Sequence, residues 1–153
     1  MTSLSFSARG LPVPQGSPRA FVRPGGRAAV VSGATGTGSH GRNLADWRHA
    51  IATEARAAIG ERPLLAGPVR IDLLFVLPRP RAHFRPDGTI RPTAPIWVTT
   101  SPDGDKLERA AWDALAGVAL GDDAQFASWG GGKRYADADG WTGVRVYLDE
   151  LVR

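Results

Sequence analysis

The chain has 153 residues, a length that suits one domain with a single core and leaves no room for two. Its hydrophobic content of 42% fits a globular protein, no run approaches the ~20 apolar residues of a membrane span, and residues 1–10 lack the layout of a signal peptide, so a soluble, cytoplasmic protein is expected. The absence of cysteine excludes disulfides, thiolate zinc sites and thiol nucleophiles, while the net charge of +4 hides an asymmetry: residues 1–100 hold 13 Arg against 5 acids, and residues 101–153 hold 6 basic against 10 acidic residues.

Leu4, Phe6 and Ala8 alternate with Ser5 and Ser7, which predicts a first strand ending at Gly10. A Pro/Gly/Arg-rich stretch from Pro12 to Gly41 follows, with one short extended piece at residues 28–32. The spacing of Leu44, Trp47, Ile51, Ala55 and Ile59 predicts a first helix, with Asn43 as N-cap, Asp46 three residues on, and Gly60 and Pro63 as its end. Val69 to Leu77 is almost continuously apolar and reads as a central strand. A second Pro/Arg-rich loop spans 78–95, a short strand is expected at 96–100, and a second helix at about 106–116 is closed by Gly117. Residues 126–135 and 143–148 read as a terminal hairpin turned at Asp137 to Gly140, with a bulge or break at Gly130, Gly131 and Gly132. This order predicts a single α+β domain with a mixed sheet and two main helices.

The chemistry-bearing residues lie in the acidic third. Asp103 and Asp105 flank Gly104 just before the second helix, and Asp122-Asp123 follow its end. On an extended segment Asp103 and Asp105 point the same way. If Asp122 or Asp123 opens a strand alongside, three or four carboxylates converge and repel one another unless a hard cation such as magnesium or manganese sits between them. An Arg-rich surface beside such a cluster suits a metal-dependent enzyme acting on a polyanion. The same residues also fit plain structure: Asp105 with Glu108 resembles a capping box, Asp122-Asp123 an ordinary turn, and the arginines a solvated surface. Arg109 stands four residues after Asp105 and four before Asp113, on one helical face, where a cation can meet a phosphate.

Other strings carry less. Residues 36–41 satisfy a dinucleotide pattern but follow no buried strand, and residues 33–39 lack the lysine of a P-loop. Residues 103–114 fail as a calcium loop, with Glu108 sixth and Ala114 twelfth. Asp137 and Asp139 read as turn residues.

Pro102-Asp103-Gly104-Asp105-Lys106-Leu107-Glu108-Arg109, then Asp113-Ala114-Leu115, Gly121-Asp122-Asp123-Ala124-Gln125 and Lys133-Arg134-Tyr135 resemble, in order and spacing, the signature of the RusA-type Holliday junction resolvases. Residues 10–19 and 78–84 are similar to that family's Gly-x-Pro and Pro-Arg-Pro stretches. The resemblance implies a RusA-like fold and a homodimeric, Mg2+-dependent endonuclease (Mn2+ being the other metal of that kind) that nicks opposed strands of a four-way DNA junction. It also implies Asp103, Asp105 and Asp123 as metal-binding catalytic acids, and Arg109 where the family has a catalytic lysine. Arg19, Arg79, Arg81, Lys106 and Lys133, with His83 behind them, become the candidates for DNA contact. Lys106 replaces the pattern's Asn, Arg109 its Lys, and Gln15 and Ser17 remove two of its cations. Trp97, Trp129 and Trp141 are the aromatic residues available to a dimer interface. The rival reading is a non-catalytic DNA-binding module whose acids only cap and turn; a glycosyltransferase-like Asp-x-Asp site lacks the chain length for a nucleotide-binding domain.

Overall fold

Val69, Ile71, Leu73 and Phe75 are buried at alternate positions of one strand, and that row organises the molecule. The computed structural model describes residues 2–16, 19–22, 25–26, 28–31 and 39–152. Ser17, the side chain of Arg19 and residues 36–38 lie outside the described residues.

The elements in chain order are β1 (Ser3–Arg9), β2 (Arg19–Val22), β3 (Ala28–Val31), α1 (Ser39–Ile59), β4 (Val69–Leu77), a 3-10 turn (Arg81–His83), α2 (Gly104–Leu115), a second 3-10 turn (Asp123–Gln125), β5 (Phe126–Tyr135) and β6 (Gly143–Glu150). The main sheet has the order β1-β6-β4-β5; β4 pairs parallel with β5 and antiparallel with β6, so the expected mixed sheet is present. β2 and β3 form a separate antiparallel pair, of which the sequence pattern indicated only the second member.

One face of the main sheet is covered. Leu4 and Ala8 of β1 and Val144, Val146 and Leu148 of β6 continue the buried row of β4, because paired residues share a face. The predicted stripe of α1 (Leu44, Trp47, Ile51, Ala55, Ile59) is buried in the same core, as are Leu107, Ala110, Ala111, Ala114 and Leu115 of α2. Each fully buried Leu or Ile contributes about 1.5–3 kcal/mol relative to exposure. The opposite face carries Arg70 paired with Asp72 at 2.8 Å, and Tyr147.

Four expectations need correction. Asn43 does not cap α1, which begins at Ser39; a local cap signal weighs about 1 kcal/mol, and nothing in residues 39–42 forbids helix. β5 and β6 do not form a hairpin, because β4, the most apolar strand, lies between them and takes the central place. Residues 96–100 are reduced to one bridge, Trp97 against Arg134, bracketed by Pro95 and Pro102. The glycine run does not break β5: Gly131, at φ +132, passes so close to the Leu73 carbonyl that no Cβ would fit, and the strand's one irregularity falls earlier, between Phe126 and Ser128.

Candidate active site

α2 starts at Gly104, two residues earlier than its pattern predicts, so Asp103 is its N-cap and Asp105 lies in its first turn, not on an extended segment. Asp103 makes no side-chain capping hydrogen bond, and its carboxylate stands 3.4 Å from Lys106 Nζ instead. Beside the buried stripe of α2 runs a second one, Asp105, Glu108, Arg109 and Trp112, at the i, i+3, i+4, i+7 spacing of one helical face. These four side chains, with Asp123 and Trp129, line a cavity of about 450 Å³.

Asp123 comes from the turn that precedes β5. There Asp122 accepts a hydrogen bond from Ala124 N at 2.8 Å, while the Gln125 Oε1 accepts from Gly121 N at 2.9 Å and Asp122 N at 3.0 Å. Gln125 Nε2 donates to the Leu65 and Gly67 carbonyls, both at 2.9 Å. This capping box fastens the acidic turn to the loop before β4 and spends the Asp122 carboxylate on the turn itself. Asp123 is the member of the pair that lines the cavity. A 3-10 turn, not a strand, separates the two.

The carboxyl groups are electrostatically coupled. Asp123 is held above its ordinary pKa by partial burial, then by contact with and the charge of Asp122, and then by the charge of Asp113. Glu108 is raised by burial and secondarily by Asp105. Behind the cavity the segment after β1 runs along α2: Gln15 N donates to the Lys106 carbonyl at 3.0 Å and the buried Gln15 Nε2 donates to Asp113. Position 15, a lysine in the family pattern, therefore faces Asp113 from inside the protein.

The remaining sequence candidates fall into two kinds. Lys133 Nζ donates to the carbonyls of Thr100 at 2.5 Å and Pro102 at 2.6 Å, bracing the loop that delivers Asp103. Arg79 is a strut as well: its guanidinium donates to Ala136 O at 2.7 Å and Pro95 O at 2.8 Å and lies over the Tyr135 ring, which His83 meets edge-on. Arg81 is exposed, and its side chain makes no hydrogen bond or ion pair among the described residues. The three tryptophans do not share a surface. Trp97, 58% exposed, packs by Gly132 on the uncovered face, and Trp141 lies there over Arg145. Trp129 lines the cavity on the other side.

The donor set, all hard carboxylate oxygens, suits Mg2+ or Mn2+ in kind, and the raised Asp123 and Glu108 are groups a cation would relieve. Among the described residues no three acidic, histidine or cysteine side chains stand close enough to hold an ion without moving. Glu108, Trp112 and Trp129 were not foreseen as site residues. Glu108 lies within the Asp105–Arg109 face and Trp112 extends it by one turn, so both could have been found from spacing; Trp129 could not, because its direction depends on the irregularity in β5.

The chain matches the family model for endodeoxyribonuclease RusA over residues 12–147, and no curated protein matches it. That span covers every element from β2 to β5 and most of β6. The chain belongs to the RusA endodeoxyribonuclease family, a family of nucleases that resolve Holliday junctions.

Proposed function

We infer that this chain is a Mg2+-dependent, structure-selective endonuclease that resolves four-way DNA junctions by paired symmetric nicks, working as a homodimer in the cytoplasm. The observation that carries the reading is that Asp105 and Arg109 of α2 and Asp123 of the acidic turn line one cavity. Asp105 and Asp123, with Asp103 at the helix N-terminus, would supply the oxygens for the metal, and Glu108 stands one helical turn from Asp105 on the same face. When bound, the ion supplies charge neutralisation and a water of lowered pKa. Arg109 meets the negative charge that builds on the phosphate as an in-line nucleophile arrives and the 3′ oxygen departs. Asp122 keeps the acidic turn in shape, and Lys133 keeps the Asp103 loop against β5.

A junction has two-fold symmetry, and its resolution takes two opposed nicks, so a C2 dimer offers two equivalent sites from one short chain. Purified protein incubated with labelled four-way junctions and linear duplex, in Mg2+ and in chelator, tests the function. Junction cutting only with metal is expected. Equal binding under both conditions with DNA left intact would turn the reading to the non-catalytic module. Light scattering of the junction-bound protein checks the dimer.

A further inference from the structure

The register of β5 places an aromatic ring where the catalytic reading has no use for one. Val69 pairs with Phe126, but Arg70 pairs with Ser128, so Ala127 is an extra residue in the ladder. Without it, strict alternation from Phe126 would turn Trp129 to the uncovered face. With it, Trp129 lies opposite the buried Ile71 and takes the face that α2 covers. There it meets Trp112 edge to face, with centroids 5.6 Å apart and planes at 72°, and Trp112 in turn rests 5.1 Å from the buried Phe126. The pair is anchored on the core, yet Trp129 remains 57% exposed. Along β5 the next residue on this face is Gly131, which cannot accept a Cβ, so β5 places no side chain beside the indole on this face before Lys133.

We propose that Trp129, backed by Trp112, is a stacking platform for an unpaired nucleobase next to the phosphodiester that is cut. The inference rests on the endonuclease reading and names what that site grips besides phosphate. The cavity lining is of two chemical kinds, carboxylates with Arg109 and a pair of indoles. The carboxylates repel a bare phosphate and accept it only through cations. A neutral, planar, π-rich group is what the indoles accept, and at the branch point of a junction, where stacking between the arms is interrupted, the opening of one pair frees such a base. A second copy of the chain is a poorer occupant, because a partner covering Trp129 would close the cavity through which DNA reaches Asp105 and Asp123. Base-on-indole stacking is tolerant of sequence, which suits an enzyme that recognises branching.

The test is a binding cycle in Ca2+, read by fluorescence anisotropy with four-way junctions that are intact or carry one abasic site at each branch-point nucleotide in turn. Wild type, Trp129→Ala and Trp129→Phe are compared, with cleavage in Mg2+ followed in parallel. Trp129→Ala should weaken binding of the intact junction about tenfold, and Trp129→Phe should weaken it measurably but less. At one abasic position the wild type should lose a similar factor, and Trp129→Ala should lose nothing further. Multiplicative losses at every position, or an alanine variant that binds as wild type does, would overturn the platform. So would a dimer that dissociates on Trp129→Ala, since the ring would then be an interface. Should the alanine variant melt below the assay temperature, the intact-versus-abasic ratio for Trp129→Phe against wild type decides, a ratio that falls with the smaller ring supporting the platform and an unchanged one overturning it. Wild type that shows the abasic effect but cuts nothing in Mg2+ would remove the nuclease reading and leave the platform standing.

Discussion

The Gln15 side chain donates its amide hydrogen to the carboxylate of Asp113, joining the segment after β1 to the middle of α2. Asp113 is one of the charges that hold the pKa of Asp123 up, and a neutral amide leaves that charge in place. The related pattern has a lysine at position 15, and a cation there would offset Asp113.

Gln15→Lys should therefore lower the pKa of Asp123 and move the acidic limb of metal-dependent cleavage to lower pH. It also replaces the Gln15 Oε1, a buried acceptor with no partner among the described residues. A pH–rate profile of wild type and variant checks this, and superimposed acidic limbs would show that Asp113 does not communicate with the site.

The Asp122-Asp123 pair should separate into two phenotypes. Asp123→Asn should reduce cleavage at least a hundredfold while junction binding persists, since it removes a ligand and leaves the arginine surface intact. Asp122→Ala should lose a cap worth about 1 kcal/mol and lower the melting temperature by roughly 2–4 °C, whereas Asp122→Asn keeps an equally good cap and should stay close to wild type. Cleavage assays and thermal melts on the three variants decide, and a dead Asp122→Asn enzyme would exchange the roles.

Much of this was legible in the sequence, and the parts that were not share a cause. The stripe from Leu44 to Ile59 and the apolar run from Val69 to Leu77 depend on local periodicity, and both are buried as that periodicity requires. The acidic strings were visible because their spacing is local too. What sequence spacing misplaced was long-range pairing. That β4 separates β5 from β6 follows from competition among strands for the central position, which no local signal records. Trp129 faces α2 because one extra residue, Ala127, enters the ladder, and the hydrogen bonds of Arg79 and Lys133 go to carbonyls that their own segments do not reveal.

The raised carboxyls carry a stability consequence whose sign is fixed. A carboxyl whose pKa is higher folded than unfolded favours the folded state while protonated, so its contribution is present below the unfolded value and is lost as pH rises through the folded one. Glu108 and Asp123 both belong to this class. Glu108→Gln should therefore raise the melting temperature of metal-free protein at pH 7 by roughly a degree or two, a modest gain because the groups are partly solvated. The gain should vanish below about pH 4, where the wild-type carboxyl is itself protonated. Excess Mg2+ should stabilise the wild type, by about 2.7 kcal/mol at a hundred times its dissociation constant. Melts across pH with and without metal test both statements, and a Glu108→Gln protein less stable than wild type at neutral pH would contradict the repulsion.

The Pro/Arg loop offers the sharpest separation between holding the fold and holding DNA. Arg79 and Arg81 are two residues apart in one basic segment, and from sequence they are equivalent phosphate contacts. Arg79 spends its donors on the Ala136 and Pro95 carbonyls and its face on Tyr135, whereas Arg81 projects into solvent. Arg81→Ala should therefore reduce the slope of log affinity against log salt by about one contact and leave the melting temperature unchanged. Arg79→Ala should do the opposite: the part-buried Ala136 carbonyl loses a charged donor, at about 1–3 kcal/mol, while the exposed Pro95 carbonyl turns to water, and the melt falls by several degrees with little change in salt slope. Arg79→Lys should recover only part of the loss, because an ammonium cannot reach both carbonyls and cover the ring with one planar group. Junction affinity measured between 50 and 200 mM salt, beside thermal melts, reads both quantities, and a salt slope that falls for Arg79→Ala with stability intact would return that residue to the DNA surface.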